Sequence, residues 1–285
     1  MRFILVLVLT CLLSDSLRAQ QVFSEPEKQV HWAMAAVFGT GWYRVDENRS
    51  SYIFRIPVRQ TISEATTEET GEKRWGLEII YPVTLGMHQL DDLPDFLEFD
   101  NYSTLTFTPG LAAEYPVSDR WRIRPFIHYG FGYEGTSDEW AQVWYGGVNS
   151  RFEFSESERV SWSLIGSLYM AGYKPQFKQR GQYGGAMAGI EAHQRLDRFR
   201  LFGEPTQLNW HMTYDYYFDN LNFHVSESEF ASINDTWELG ASLGLVDRKI
   251  EIGWFSFEQI GLGYKSSSNG LYRAITFNLR SPFTR

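Results

Sequence analysis

The chain has 285 residues, 43% of them hydrophobic and 16% aromatic, and its 26 Lys and Arg against 35 Asp and Glu give a net charge of -9. That acid excess argues against a nucleic-acid protein, which needs a basic face to neutralise phosphates, and equally against a polybasic lipid-binding surface. The hydrophobic content is enough for a core and excludes wholesale disorder. The chain opens with Met1-Arg2, an apolar run from Phe3 to Leu13, and Ser14 to Ala19. This order predicts a secretory signal peptide over 1–19, cut after Ala19. The run is short of the roughly 20 apolar residues that span a bilayer, and Thr10 before Cys11 fits a lipoprotein site poorly. Removal takes away Arg2, Asp15, Arg18 and the single cysteine, leaving a net charge of -10 and no disulfide.

Beyond a short N-terminal segment over 20–30, period-two alternation recurs along 31–285. In chain order the strands are expected at 31–44, 50–60, 74–85, 102–116, 120–134 and 139–154. Six more follow at 158–173, 181–196, 206–218, 235–245, 249–264 and 270–283. The clearest runs from Trp121 to Tyr133: Ile123, Ile127, Tyr129 and Phe131 share one face, and Arg122, Arg124, His128 and Gly130 the other. In 249–264 the parity of Ile250 and Ile252 is broken by Phe255 and Phe257, which points to a bulge or a misplaced boundary. The pairs Gly146-Gly147 and Gly184-Gly185, with Gly39 and Gly41, read as kinks or close-packed positions.

Alternation alone fits a soluble β-sandwich as well as a barrel. Length separates them, because ordinary strands run to about 5–6 residues and several here pass ten. Thirteen residues at about 3.3 Å each, tilted by about 40°, project to roughly 33 Å, enough to cross a membrane. Rings near strand ends, such as Trp32, Trp42, Tyr52, Trp75, Trp121 and Tyr133, match interfacial girdles. The fold class is therefore all-β, a transmembrane antiparallel up-and-down barrel of about 12 strands. With the N-terminus in the periplasm, short turns near 117–119, 155–157 and 246–248 fall on one side and the longer 86–101 and 219–234 on the other. The segments 61–73 and 197–205 are long for their side.

Thr108 to Gly132, with its Pro-Gly, Arg-Pro-Phe and Tyr-Gly-Phe-Gly elements, and the final stretch Leu271 to Phe283 carry a resemblance. The mature chain resembles the translocator barrel of autotransporters, and with only 20–30 ahead of the barrel it is similar to the solitary, passenger-less members. The chain departs from that pattern in running two residues past Phe283 and in having Ser281 where an apolar residue is usual. The resemblance implies the outer membrane of a Gram-negative bacterium, with lipids and lipopolysaccharide around the barrel. It also implies assembly by the barrel-assembly machinery and periplasmic chaperones.

The interior-facing candidates by parity are Arg55, Arg59, Glu78, Glu114, Arg122, Arg124, His128, Arg151, Glu153, Glu191, His193, Arg195, His211 and Asp215. Both signs occur, as in a small barrel filled by cross-strand pairs. A three-residue turn at Val117 to Asp119 sets Glu114 opposite Arg122. Glu191, His193, Asn209 and His211 fall on consecutive strands, yet a metal needs three or four converging ligands, and satisfied hydrogen bonds are the favoured reading. Ser266-Ser267-Ser268-Asn269-Gly270 is similar to the His-x-Ser-Asn-Gly stretch of outer-membrane phospholipases, but Ser266 stands in place of the activating histidine. It reads as a turn. No catalytic set, cofactor or metal is predicted. A non-catalytic structural or accessory role leads, with a narrow porin-like diffusion channel as the alternative and a lipid hydrolase third.

Overall fold

A computed structural model describes residues 35, 37–45, 49–67, 71, 73–89, 104–135, 138–176, 180–201, 203–224, 230–246, 248–252 and 255–284. The expected signal peptide 1–19 and the segment 20–30, and with them Trp32, lie outside the described residues, as do 90–103 and 225–229 of the two long connections. In chain order the strands are β1 (Gly41–Val45), β2 (Arg49–Ser63), β3 (Thr66–Thr67), β4 (Lys73–Arg74), β5 (Gly76–Gln89), β6 (Thr104–Phe107), β7 (Gly110–Ser118), β8 (Trp121–Glu134) and β9 (Glu139–Glu156). They continue with β10 (Val160–Pro175), β11 (Gly181–Leu201), β12 (Glu204–His224), β13 (Phe230–Leu245), β14 (Ile250–Ile252), β15 (Phe255–Phe257), β16 (Gln259–Ser266) and β17 (Tyr272–Asn278).

Pairing runs β2-β1-β17-β16-β13-β12-β11-β10-β9-β8, then β6 and β7, then β5, and β5 returns to β2. β6 and β7 both lie between β5 and β8 and keep one register across Thr108-Pro109, so they act as one strand. Pro109 has no N–H to give the ladder, which accounts for the interruption. The result is a closed antiparallel barrel of twelve strands. Closure matters energetically because it pairs most of the strand edges that an open sheet would leave with unpaired backbone groups. The strands expected by parity reappear with shifted ends, β11 and β12 being longest at 21 residues each.

Parity decides which side chains point in. On β8, Ile127 is 64% exposed on the outside and His128 only 3% exposed on the inside. The same alternation holds on β12, where Met212, Tyr214 and Tyr216 are exposed and Asn209, His211, Thr213 and Asp215 are buried. Close approach sets the glycines: Tyr169 pairs in register with Gly147 on one side and Gly185 on the other. A Cβ on Gly185 would meet the Tyr169 hydroxyl at 2.6 Å, and one on Gly147 the Leu168 carbonyl at 2.3 Å.

Four expectations need correction. The first strand is not 31–44: β1 is five residues long, and Val37 and Phe38 before it pack inside the barrel. Tyr43 fixes this entry by donating its hydroxyl to the Gly39 carbonyl at 2.6 Å. The last strand does not reach 283 but stops at Asn278, and Phe283 is buried, 3% exposed. Pro282 cannot continue a ladder, and Ser281 closes a turn, its Oγ accepting from Phe283 N at 3.2 Å and its carbonyl from Thr284 N at 3.0 Å. The span 249–264 is two things, the small hairpin β14–β15 and the barrel strand β16. The turn after β7 has two residues, with Ser118 pairing Trp121, and a bulge between Pro116 and Ser118 then sets Pro116 rather than Glu114 opposite Arg122. Of the two long segments, 61–73 holds the end of β2 and the hairpin β3–β4, and 197–205 is mostly strand, with Gly203 at φ 84° in a tight turn.

Candidate functional site: the barrel interior

The short turns 119–120 and 157–159 define one end of the barrel, and the ends of β5 and β12 at Gln89 and His224 the other; these are called the turn end and the loop end. Side chains of the turn-end half are ionic. Glu78 accepts from Arg59 at 3.1 Å and from Arg124 at 2.6 Å. Arg280 donates to Glu258 at 3.0 Å, and Thr284 Oγ1 to the other oxygen of Glu258 at 2.6 Å. The turn Ser281–Thr284 is thereby held inside: Asn149 Nδ2 donates to the Phe283 carbonyl at 2.8 Å, and Arg59 to that of Thr284. β1 reaches β2 only as far as Ile53, and beyond that pair Thr40 Oγ1 accepts from Arg55 N at 3.0 Å.

A second chain of bonds crosses the same half. Arg151 donates to His193 Nε2 at 2.7 Å, and a guanidinium has no acceptor, so Nε2 accepts and Nδ1–H donates to Asn209 Oδ1 at 2.6 Å. Asn209 in turn donates to Gln259 at 2.9 Å, and Gln259 to the Arg280 carbonyl at 2.9 Å. Glu191, 1% exposed, lies 3.6 Å from Arg151. Nearer mid-height Glu238 accepts from Thr276 at 3.0 Å and lies 3.3 Å from His211, while Lys265 sits 3.0 Å from Asp215 and 3.9 Å from Glu238. Networks of this kind rigidify an interior to the degree that their members are satisfied, and a buried charge that loses its partner is costly.

The parity candidates are placed as follows. Arg55, Arg59, Glu78, Arg124, His128, Arg151, Glu191, His193, His211 and Asp215 all have interior partners. Glu114 and Arg122 bond at 3.0 Å as diagonal neighbours at the turn-end rim, where Arg122 is half exposed. Glu153 and the exposed Arg195 stand on the same parity toward that rim. Glu191 pairs directly with His211, and His193 with Asn209, but the two imidazoles turn to different partners. Among the described residues no group of three or more His, Cys, Asp or Glu converges closely enough to hold a metal ion. Ser266 to Gly270 joins β16 to β17: Ser267 Oγ donates to Asn269 at 2.7 Å, Ser268 to Asp235, and Gly270 has φ 75°.

Glu238, Gln259 and Lys265 were not among the sequence candidates. Glu238 was legible, since Glu238, Gly240, Ser242 and Gly244 alternate with Trp237, Leu239, Ala241 and Leu243. Gln259 and Lys265 were hidden by the broken parity before β16. The loop-end half was also unexpected, because many of its inward side chains are apolar. Val45, Ile53, Val143, Leu221 and Ile233 pack there with Tyr43, Tyr173, Tyr183, Tyr217 and Tyr272, and Val37 and Phe38 of the entering chain join them. Between the two halves lies a cavity of about 260 Å3, bordered by Phe38, Arg55, Arg59, Tyr145, Tyr217 and Tyr272 among others. His128 stacks on Tyr145 at 4.3 Å, its Nδ1 2.9 Å from the Thr108 carbonyl.

Outside, rings gather near both ends. Trp75 and Tyr115 lie 4.7 Å apart and Trp162 and Trp210 4.7 Å apart toward the turn end. Tyr133 and Trp140 at 5.0 Å, and Trp237 and Tyr264 at 5.6 Å, lie toward the loop end. Neither a scan against protein-family models nor a search of curated proteins returned a match.

Proposed function

We propose that the chain is an integral outer-membrane barrel of a Gram-negative bacterium with a filled, non-catalytic interior and a structural or accessory role. On this reading it resembles an autotransporter barrel, and assembly factors deliver it to lipid and lipopolysaccharide. One observation carries it: the barrel wears its apolar side chains outside and its charges inside. Phe54, Leu105, Ile127, Leu168, Met212 and Phe277 are among the many exposed large apolar residues, far beyond the few hundred Å2 patch a soluble monomer shows. The 14 residues of β8, at about 3.3 Å each and tilted by about 40°, project to roughly 35 Å. The ring clusters near both ends fit interfacial girdles.

The interior favours a closed barrel over a diffusion channel, since the entering chain and the Ser281–Thr284 turn occupy its two halves. Refolded protein is expected to migrate differently in a denaturing gel before and after boiling, and to give no discrete conductance steps in planar bilayers. Identical migration, with a monomer that stays in solution without detergent, would sink the membrane reading. Discrete steps would replace the closed barrel with the narrow channel.

A further inference from the structure

The guanidinium groups beside the cavity are short of anions. Arg59, Arg124 and Arg280 share two carboxylates, Glu78 and Glu258. Among the described residues Arg55 has no carboxylate partner: its Nη2 donates to the Tyr145 hydroxyl at 2.7 Å, and its carbon lies 5.6 Å from that ring centre. Among the described residues the buried Arg55 Nε, Arg59 Nε and Arg124 Nη1 have no hydrogen-bond acceptor. Arg59 is more than nine-tenths buried, and both it and Arg55 border the cavity. Buried donors of this kind cost free energy unless water or a ligand satisfies them.

The remaining lining fixes what such a ligand looks like. The opposite wall carries Asp215 and Glu238, but these already hold Lys265, Thr276 and His211. An anion is therefore drawn to the Arg55–Arg59 wall and repelled from the other. Toward the loop end the boundary is aromatic, with Phe38, Tyr43, Tyr217 and Tyr272. Ligand sites are typically apolar concavities of about 300–1,000 Å3 with a few convergent polar groups, and at about 260 Å3 this one suits a small molecule. Guanidinium forks match the planar or tetrahedral oxygens of carboxylate and phosphate.

We propose that the cavity binds a small amphiphilic anion, its carboxylate or phosphate head on Arg55 and Arg59 and its apolar body against the rings of Phe38, Tyr43, Tyr217 and Tyr272. The inference rests on the interior geometry and adds a ligand to the closed barrel. The test is calorimetric titration of the refolded full chain with 4-phenylbutyrate, its neutral amide and inorganic phosphate. Saturable binding of the acid, at least tenfold tighter than of the amide and of phosphate, is the expected result. Arg55→Gln and Arg59→Gln each weaken it tenfold or more, while Arg122→Gln at the exposed rim leaves it unchanged. Equal affinity for acid and amide, no saturable binding of the acid, or equal damage from Arg122→Gln overturns the site, with internal water the satisfier of the arginines. Phosphate binding as tightly as the acid overturns the apolar half. If Arg59→Gln does not refold, the acid–amide difference and Arg55→Gln decide. The heat-dependent gel shift reads the barrel separately, so lost binding in a chain that keeps the shift counts against the site alone.

Discussion

Toward the loop end the barrel is filled as a soluble core is, with Val143 and Ile233 fully buried among tyrosines, whereas toward the turn end the same strands present Arg59, Glu78, Arg124, Arg151 and Glu191. One half is held by non-directional packing and the other by directional bonds between charges. The difference teaches where the fold is brittle. An apolar cluster loses stability in proportion to the atoms removed. A charge network fails when any one member leaves the rest uncompensated.

That contrast is broken most severely at Glu78. Glu78→Ala leaves Arg59 and Arg124 buried without their shared carboxylate, and a loss of about 3–5 kcal/mol is expected. Urea unfolding of the refolded protein reads it; a change below about 1 kcal/mol, the size of a surface pair, would put the turn-end half on the same footing as packing. The outside comes next. If the barrel sits in lipid, Ile127→Arg costs about 2–4 kcal/mol near the midplane, and a spin label at 127 is quenched by a lipid-dissolved reagent while one at 128 is not. Quenching at 128 instead would mean that β8 is inverted.

Two milder changes sharpen the comparison. Ile233→Val in the loop-end half removes one methyl group, for about 0.5–1.5 kcal/mol in the same denaturation assay. A loss as large as that of Glu78→Ala would show that the tyrosine-lined half is as unforgiving as the charged one. Glu114→Ala breaks the rim pair with Arg122, which is 54% exposed, so a shift of about 0–1 kcal/mol is expected, fading with added salt. A salt-independent loss would mean that the pair is sealed from solvent.

Much of this was legible from the chain because side-chain parity is a local property of an extended backbone. The run Trp121 to Tyr133 already separates Ile127 from His128, and the same reasoning sorted Arg59, Glu78, Glu191 and Asp215 to one side. Which charges meet was less legible. Glu114 and Arg122 share a face by parity, but a two-residue turn at 119–120 and a bulge between Pro116 and Ser118 moved them from opposite to diagonal. His128 falls on the inner side by parity, but its bond to Thr108 and its stacking on Tyr145 depend on the register of β8 with the strands before and after it.

The sequence by itself determined that the chain is a series of about twelve long alternating strands with one apolar and one polar side, because pleat geometry repeats every two residues whatever the partners are. Only the tertiary structure decided the register, the division of the interior into apolar and ionic halves, and the inward course of Val37, Phe38 and Ser281–Thr284. Those features depend on barrel closure, which brings β1, β2 and β17 side by side from opposite ends of the chain. No local pattern encodes a contact between residues more than 200 positions apart, such as Arg59 with Thr284.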